Sequence, residues 1–397
     1  MKNEAKEGID RREMMIAPLV ALGTSAVLMA SSQAARAQSA APAAGKSPKG
    51  TTYTGDIVQG KKVVSALDID DLAPGQVHKL YFQGVQTPTG QHWYVSVMVV
   101  KGARAGKRFT LTSGVHGDEM SSIHTVQTVM NALDPSTMSG SVMAVFDIAS
   151  PALESMQRRW PNQGRGIDII DMNREWPGNE NGASAVSRQA AILFDGLLRP
   201  NTDLAIDFHT GATGLDAGAF NIADRSLPDV KTMTDLFPVP LIWDNATYDG
   251  VLANAFVAAG IPCFMPEIGA ARRLDHKLIA LFVEGTLNCL KHYDVIPGTI
   301  GRTAADAGVT IGNSAFPVLT THGGFLESLV KLHEKVTAGQ KIAVQRNSFG
   351  EVVAEYTSGV DGYVGGLRSD VTTEPGIVFI FILFNHAPAE QTRAYPE

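Results

Sequence analysis

Short apolar runs alternate with segments of helical periodicity along most of this chain, and this alternation restricts its fold more than any other feature. Apolar runs bounded by Gly, Pro or Asp are typical of strands buried inside a sheet. Five runs have this form: Trp93 to Val100, Phe109 to Leu111, Val142 to Ile148, Leu204 to Ile206 and Pro262 to Met265. Apolar residues recur every three to four positions in residues 120–133, 185–198 and 278–290, as in helices that cover a sheet. The alternation predicts an α/β domain over residues 53–300.

The pattern changes near Gly301, where short apolar runs separated by frequent glycines replace the helical periodicity. Such runs are typical of strands joined by tight turns, so residues 301–397 are predicted to form a small all-β domain. Its last run, Ile377 to Leu383, is apolar throughout and is predicted to be buried on both faces of a sheet. This run is too short to cross a membrane.

The first 37 residues have the organisation of an export signal. Arg11 and Arg12 precede an apolar run from Met14 to Met29, and Ala35-Arg36-Ala37 forms a small-residue cleavage site. Paired arginines at this position indicate the twin-arginine route and a periplasmic destination. A membrane anchor is the alternative, but the run is short and only mildly apolar for a span. Residues 38–52, rich in Ala, Pro, Gly and Ser, are predicted to be a disordered tether.

The net charge limits the kinds of partner that the chain can attract. The full chain carries a formal charge of −7 at pH 7. Cleavage after Ala37 removes five basic and four acidic residues, which leaves −8 on the mature chain. An acidic protein is not expected to bind nucleic acid.

A histidine and a carboxylate follow the strand predicted at Phe109 to Leu111. His116 and Glu119 lie three residues apart in a glycine-containing segment, so both side chains can turn toward one cation. Catalytic zinc sites often use two histidines and one glutamate, and His209, at the end of another predicted strand, supplies the second histidine. The alternative is that the spacing arises by chance and that the histidines are merely hydrogen-bonded.

Two further segments carry polar side chains in unusual positions. Asn173 and Arg174 stand together in a loop rich in Gly and Pro, where an amide and a guanidinium suit an anionic substrate; a surface salt-bridge network is the alternative. Glu267 ends an apolar strand, where a charge is costly unless it has a use. Its alternative role is a structural ion pair with Arg272 or Arg273.

Four motifs in chain order, H-G-D-E at 116–119, D-M-N-R-E-W-P-G at 171–178, D-F-H-T-G at 207–211 and P-E-I-G at 266–269, resemble those of the succinylglutamate desuccinylase and aspartoacylase family of zinc hydrolases. The resemblance implies a mixed sheet flanked by helices, as in zinc carboxypeptidases, with a small C-terminal β domain. The family pattern has Phe where Trp176 stands, which leaves the substrate open.

The resemblance also implies a role for each site residue. It implies zinc bound by His116, Glu119 and His209, with Asp171 bracing a zinc histidine. It implies Asn173 and Arg174 as binders of the substrate carboxylate, and Glu267 as the general base. Arg159 is similar to the family arginine that polarises the scissile carbonyl, with Arg158 as the alternative register.

These roles predict a zinc-dependent hydrolase that cleaves the amide bond of an N-acyl amino acid, a carbon–nitrogen bond other than a peptide bond. One alternative is a zinc carboxypeptidase that acts on peptides outside the cytoplasm. Another is a non-catalytic binding protein that keeps the zinc site. The expected partner is a small N-acyl amino acid or short peptide, with no nucleic acid and no stable membrane anchor.

Overall fold

A large mixed β-sheet forms the centre of the molecule. The computed structural model describes residues 50–163, 168–245 and 249–386, so the predicted export signal and the tether up to residue 49 lie outside the described residues. The last residues assigned to the tether do not fit that prediction. Thr52 already belongs to the first strand, and the Thr51 backbone N–H donates to Asp71 Oδ2 at 2.6 Å.

The strands within the described residues have the following bounds. They are β1 (Thr52–Val58), β2 (Lys61–Ala66), β3 (Gln76–Gln86), β4 (His92–Lys101), β5 (Arg104–Thr112), β6 (Ser139–Val145), β7 (Trp160–Gln163), β8 (Asp168–Ile170), β9 (Leu204–Asp207), β10 (Leu215–Ala223), β11 (Leu241–Asp244), β12 (Cys263–Ala270), β13 (Thr310–Gly312), β14 (Ser314–Leu319), β15 (Gly324–Ser328), β16 (Lys335–Val336), β17 (Lys341–Arg346), β18 (Val352–Thr357), β19 (Gly362–Arg368), β20 (Thr372–Thr373) and β21 (Val378–Phe384). All five strands predicted from the apolar runs are confirmed as β4, β5, β6, β9 and β12.

The helices within the described residues are α1 (Met120–Asn131), α2 (Ser150–Glu154), α3 (Ala185–Leu193), α4 (Pro228–Asp235), α5 (Leu252–Ala258) and α6 (His276–His292). Short 3₁₀ helices span Ile69–Asp71, Met172–Arg174 and Arg199–Asn201, and a π-helical turn at Phe194–Leu198 continues α3. The three predicted helices are confirmed as α1, α3 with its π-helical turn, and α6. The start of α6 is fixed by Asp275, whose side chain accepts from the N–H groups of Lys277 and Leu278.

The main sheet has the order β1-β2-β3-β4-β6-β5-β9-β12-β10-β19-β21-β14, with β11 beside β10 and β13, and β16 beside β19. Its central strands are buried on both faces. Along β4, Val97 and Val99 pack into one core cluster with α3 and α5, while Met98 and Val100 pack into a second cluster with α1 and α6. Side chains that alternate between two cores explain why these strands are apolar throughout. The predicted α/β class with helices on a mixed sheet is confirmed.

The C-terminal strands extend this sheet and also form a smaller one. β19 pairs with β10 through Leu215 opposite Arg368, and a separate sheet has the order β18-β17-β15-β20. In β21 the neighbouring residues Phe379 and Ile380 are both fully buried, which confirms burial on both faces of that run. The division into two domains at residue 300 stays a prediction, although backbone pairing crosses it. Within the described residues, no helix is long and apolar enough to cross a bilayer.

Candidate metal centre and active-site cleft

The predicted metal ligands meet because they follow two adjacent parallel strands. β5 and β9 pair in register, with Thr112 opposite Asp207. Parallel strands that lie side by side end at the same edge of a sheet, so the residues after each strand are brought together there. His116 follows β5 and His209 follows β9, and their ring centroids are 5.1 Å apart.

Glycine shapes the loop that carries His116. Gly114 has a φ of +70°, a conformation that other residues rarely adopt. A Cβ atom added to Gly117 would lie 2.1 Å from the Ala152 carbonyl carbon in α2. The loop can therefore pack this closely against α2 only with glycine at 117, and this packing places His116 and Glu119 beside the end of β9.

His116, Glu119 and His209 form a buried cluster that could hold a metal ion. Each offers one ligand atom, and these atoms lie within 4.8 Å of one another. His116 Nδ1 lies 2.8 Å from Glu119 Oε1, and His209 Nδ1 lies 2.9 Å from Glu119 Oε2. All three residues are 2% exposed or less. Two imidazoles and a carboxylate are ligands that zinc accepts, so the residues present fit that ion.

Two further carboxylates fix the histidine rings. Asp171 Oδ1 lies 3.0 Å from His116 Nε2, and Asp207 Oδ2 lies 3.0 Å from His209 Nε2. Asp207 is itself held by Thr112, whose hydroxyl donates to Asp207 Oδ1 at 2.7 Å. A carboxylate behind each ring leaves both Nδ1 atoms directed at Glu119, an arrangement typical of metal-binding histidines. Asp171 was predicted from the sequence, whereas Asp207 was not.

The electrostatics of the cluster favour a cation between these groups. Burial alone would raise the pKa of Glu119, but His116 and His209 hold it well below its ordinary value. Burial alone would lower the pKa of His209, but Asp207 and Glu119 raise it well above its ordinary value. A proton on the His209 imidazole therefore supplies positive charge that the buried carboxylates require. A bound divalent cation would supply that charge instead and release protons.

The structure places Arg158, not Arg159, in the cleft. Arg158 Nη1 donates to Glu119 Oε1 at 2.8 Å, and its Nε lies 3.7 Å from Asp171 Oδ2. Arg159 is exposed and is not among the residues that line the cleft. The assignment of the carbonyl-polarising arginine to Arg159 therefore does not fit the geometry, and the alternative register does.

Asn173 and Arg174 are brought to the cleft by the short helix at Met172–Arg174. Asp171 caps this helix and accepts from the Asn173 N–H at 3.0 Å. The Asn173 side chain is buried: its Oδ1 accepts from the Leu252 N–H at 3.0 Å, and its Nδ2 lies 3.4 Å from His209 Nε2. Arg174 is exposed, and its Nη1 donates to the Asn173 carbonyl at 2.7 Å. Both predicted substrate binders thus line the cleft, with Arg174 the more accessible.

Glu267 lies in β12 beside His209, with which it shares an isolated parallel bridge. Its Oε2 atom is buried and has no hydrogen-bond partner among the described residues. Burial raises the pKa of the Glu267 carboxyl from 4.5 to about 8, with His209 opposing the rise and Glu119 adding to it. The alternative structural pairings are not formed: Arg272 donates to the Met156 carbonyl, and Arg273 lies 3.8 Å from Asp216. A buried carboxylate held in this way can accept or donate a proton in the cleft.

These groups share one cleft of about 280 Å³. Its polar end is formed by His116, Glu119, Arg158, Asn173, Arg174, His209, Thr210 and Glu267, and its apolar wall by Leu215, Ala217, Phe220, Ile222, Trp243, Val251, Met265 and Phe381. This wall was not predicted from the sequence, and one of its residues, Phe381, comes from β21. Phe381 rests on Gly365 and Gly366, where an added Cβ would lie 2.2 Å from the ring in either case.

The molecule is thus an α/β protein that carries a candidate metal site at the edge of its sheet. The site consists of a buried His-Glu-His cluster with a further carboxylate beside it. Residues 105–293 match the model of the succinylglutamate desuccinylase/aspartoacylase catalytic domain. N-alpha-acetyl-L-2,4-diaminobutyric acid deacetylase of Halomonas elongata is 26% identical over 294 residues, which cover 71% of this chain and 83% of the relative.

Solved structures share the fold. A succinylglutamate desuccinylase/aspartoacylase from Rhodobacter sphaeroides has a TM-score of 0.68 at 22% identity, covering 81% of this chain and 99% of its own. The product-bound ectoine utilization protein EutE from Ruegeria pomeroyi has a TM-score of 0.71 at 20% identity, covering 85% of this chain and 99% of its own. Residues 105–293 therefore belong to the succinylglutamate desuccinylase/aspartoacylase family. Members of this family include amide-bond deacylases.

Proposed function

We propose that this protein is a zinc-dependent hydrolase that cleaves the amide bond of an N-acyl amino acid. One observation carries the proposal: the buried His116-Glu119-His209 cluster opens into the same cleft as Glu267 Oε2, which has no hydrogen-bond partner in the described part of the chain. The deacetylase from Halomonas elongata supports the choice of an amide substrate. A glutamate with a structural role is expected to have a hydrogen-bond donor or a cation beside each oxygen, because a buried unpaired carboxylate oxygen is costly.

His116, Glu119 and His209 would hold the zinc ion, with Asp171 and Asp207 keeping both rings in the orientation that ligation requires. When bound, zinc supplies Lewis-acid chemistry, which makes water more acidic and a carbonyl more electrophilic. Glu119 also accepts from the Thr210 N–H at 3.1 Å and from Arg158, so its two oxygens are fixed before any ion arrives.

Glu267 would move the proton. In hydrolysis a water oxygen forms a bond to the acyl carbon, the carbon–nitrogen bond breaks, and one proton passes from water to the departing nitrogen. Glu267 Oε2 would accept this proton and then donate it to the nitrogen, which yields a carboxylic acid and a free amine. Arg158, at the polar end of the cleft, would stabilise the negative charge that develops on the carbonyl oxygen.

Asn173 and Arg174 would hold the carboxylate of the amino-acid half. The guanidinium of Arg174 can bind a carboxylate through two parallel hydrogen bonds, which orients the substrate as well as attracting it. A free carboxylate next to the scissile bond distinguishes an N-acyl amino acid from an internal peptide bond.

The test combines metal content with turnover. The full chain is stripped with a chelator, reloaded with zinc, and assayed on N-acyl amino acids and on short peptides by the amine released. We expect about one equivalent of zinc, and turnover of N-acyl amino acids that depends on it. His209→Ala should lose both, whereas the matched control His322→Ala, at an exposed histidine, should keep both.

Three outcomes would contradict the proposal. Activity on peptides alone would indicate a carboxypeptidase. Zinc binding without turnover on either substrate class would indicate a binding protein. Full zinc content in His209→Ala would show that the ligand assignment is wrong.

A further inference from the structure

The apolar wall of the cleft is continuous with the groups proposed to act on the amide. β10 and β12 pair with Phe220 opposite Glu267 and Ile222 opposite Met265, and β10 pairs with β11 with Ile222 opposite Trp243. Residues directly opposite each other in a sheet project from the same face. The wall therefore begins beside Glu267 and extends away from it across two further strands.

Phe381 closes the wall from the C-terminal part of the chain. Its ring lies 5.9 Å from that of Phe220 and 6.0 Å from that of Trp243, measured between centroids. Phe381 and Trp243 are each half-buried, so part of both rings faces the cleft. Together with Ile222 and Met265, they form a surface that suits an apolar group.

The order of contacts assigns this wall to one half of the substrate. Asn173, proposed to hold the amino-acid carboxylate, lies against His209. Glu267 lies beside His209 in the adjacent strand, and Phe220 lies on the other side of Glu267. Val251 lies on the carboxylate side, since the Leu252 N–H next to it donates to Asn173. The rest of the wall, which begins at Phe220, lies on the opposite side of the proposed proton carrier, so this part of the wall faces the acyl half.

The charged groups of the cleft point to the same conclusion. Its charged or titratable lining residues are His116, Glu119, Arg158, Arg174, His209 and Glu267. Arg158 is paired with Glu119, and among the described residues that line the cleft this leaves Arg174 as the cation to meet a substrate anion. One cation serves the amino-acid carboxylate, and a second carboxylate on the acyl group would face Phe220, Trp243 and Phe381.

From this geometry we infer that the preferred substrates carry an apolar acyl chain longer than acetyl, and that acyl groups ending in a carboxylate are rejected. The inference rests on the proposed amide hydrolysis, which it makes more specific. Burying one methylene contributes about a fourfold gain in kcat/KM. N-Hexanoylglycine, with four more methylenes than N-acetylglycine, should therefore exceed it by on the order of 10²-fold, and should exceed N-succinylglycine by at least that much.

The experiment measures hydrolysis of these three acylglycines by the zinc-loaded full chain, and their binding by calorimetry to the Glu267→Gln variant. Phe381→Lys places a cation in the wall, so the preference for hexanoyl over succinyl should fall at least about tenfold. The matched control Phe325→Lys, at a half-exposed phenylalanine in β15, should keep the wild-type preference. If Phe381→Lys does not fold, Phe381→Asn should lose the hexanoyl preference in the same direction.

The inference is overturned if N-succinylglycine is cleaved or bound as well as N-hexanoylglycine. It is also overturned if a folded Phe381 variant keeps the wild-type preference within about twofold. Failure of the proposed function gives a different result, because none of the three amides is then cleaved. The ranking of the three ligands by calorimetric affinity still decides whether the wall binds an apolar acyl group.

Discussion

Replacement of Glu267 by glutamine separates a proton carrier from a structural residue. Glu267→Gln keeps the size of the side chain and removes its ability to exchange a proton. Loss of a general base costs about 10²- to 10⁴-fold in kcat, or roughly 3 to 5 kcal/mol of transition-state stabilisation. Zinc content should not change, because Glu267 is not among the three clustered ligands.

The structure also predicts the effect of Glu267→Gln on stability, and its sign is unusual. Burial raises the pKa of Glu267 to about 8, so the folded protein binds this proton more tightly than the unfolded chain does. The wild-type protein then loses free energy of unfolding as the pH rises from 4.5 toward 8, by roughly 1 kcal/mol per pH unit in that window. Glutamine has no charge to bury, so the metal-free variant should melt higher than the wild-type protein at pH 8.

The assay is done on one preparation of each protein. kcat and zinc content are measured on the zinc-loaded form, and melting temperature at pH 5 and pH 8 on the chelator-treated form. Lost turnover, unchanged zinc and a higher melting temperature at pH 8 agree with the reasoning. Wild-type turnover in a variant that melts lower would refute it, because a structural ion pair gives that result.

Three further predictions concern Arg174, Asp207 and His333. Arg174→Lys should raise KM more than it lowers kcat, since an ammonium attracts a carboxylate but cannot bind it through two parallel hydrogen bonds; equal kinetics of wild-type enzyme on free and amidated substrates would contradict this. Asp207→Asn should weaken zinc affinity about 10- to 100-fold in a chelator competition, and an unchanged affinity would remove Asp207 from the site. Burial lowers the pKa of His333 below 6.5, and Asp216 only partly opposes this shift. The folded protein therefore binds this proton less readily than the unfolded chain, and it loses free energy of unfolding as the pH falls from 6.5 through the lowered pKa. Between pH 7 and pH 5, the melting temperature of His333→Gln should therefore fall less than that of the wild-type protein.

The metal cluster could be predicted from sequence because its members follow the buried apolar runs at the ends of β5 and β9. A polar side chain buried soon after such a run, as His116 and His209 are, is costly unless its polar group is used. Asp207 carries the same signal, because it lies two residues before His209 and therefore on the same face of the strand. It was overlooked because it sits inside an apolar run.

Other features depend on contacts that sequence order does not reveal. Arg158 and Arg159 are adjacent and chemically alike, and only the turn that follows α2 decides which one enters the cleft. β1 to β3 were missed because their exposed positions interrupt the apolar pattern, as in β1, where no residue is fully buried. The wall that Phe381 completes joins segments more than 100 residues apart, and no local periodicity marks such a contact.

The pair Gly365-Gly366 supports Phe381 from behind, and neither glycine belongs to the lining of the cleft. Any larger residue at either position would have to push the ring forward into the cavity or force β21 away from β19. The volume left for the acyl group is therefore controlled from a strand that never meets the substrate. Substitutions at Gly365 or Gly366 could therefore change the size of acyl group that the cleft admits during evolution, while His116, Glu119 and His209 stayed unchanged.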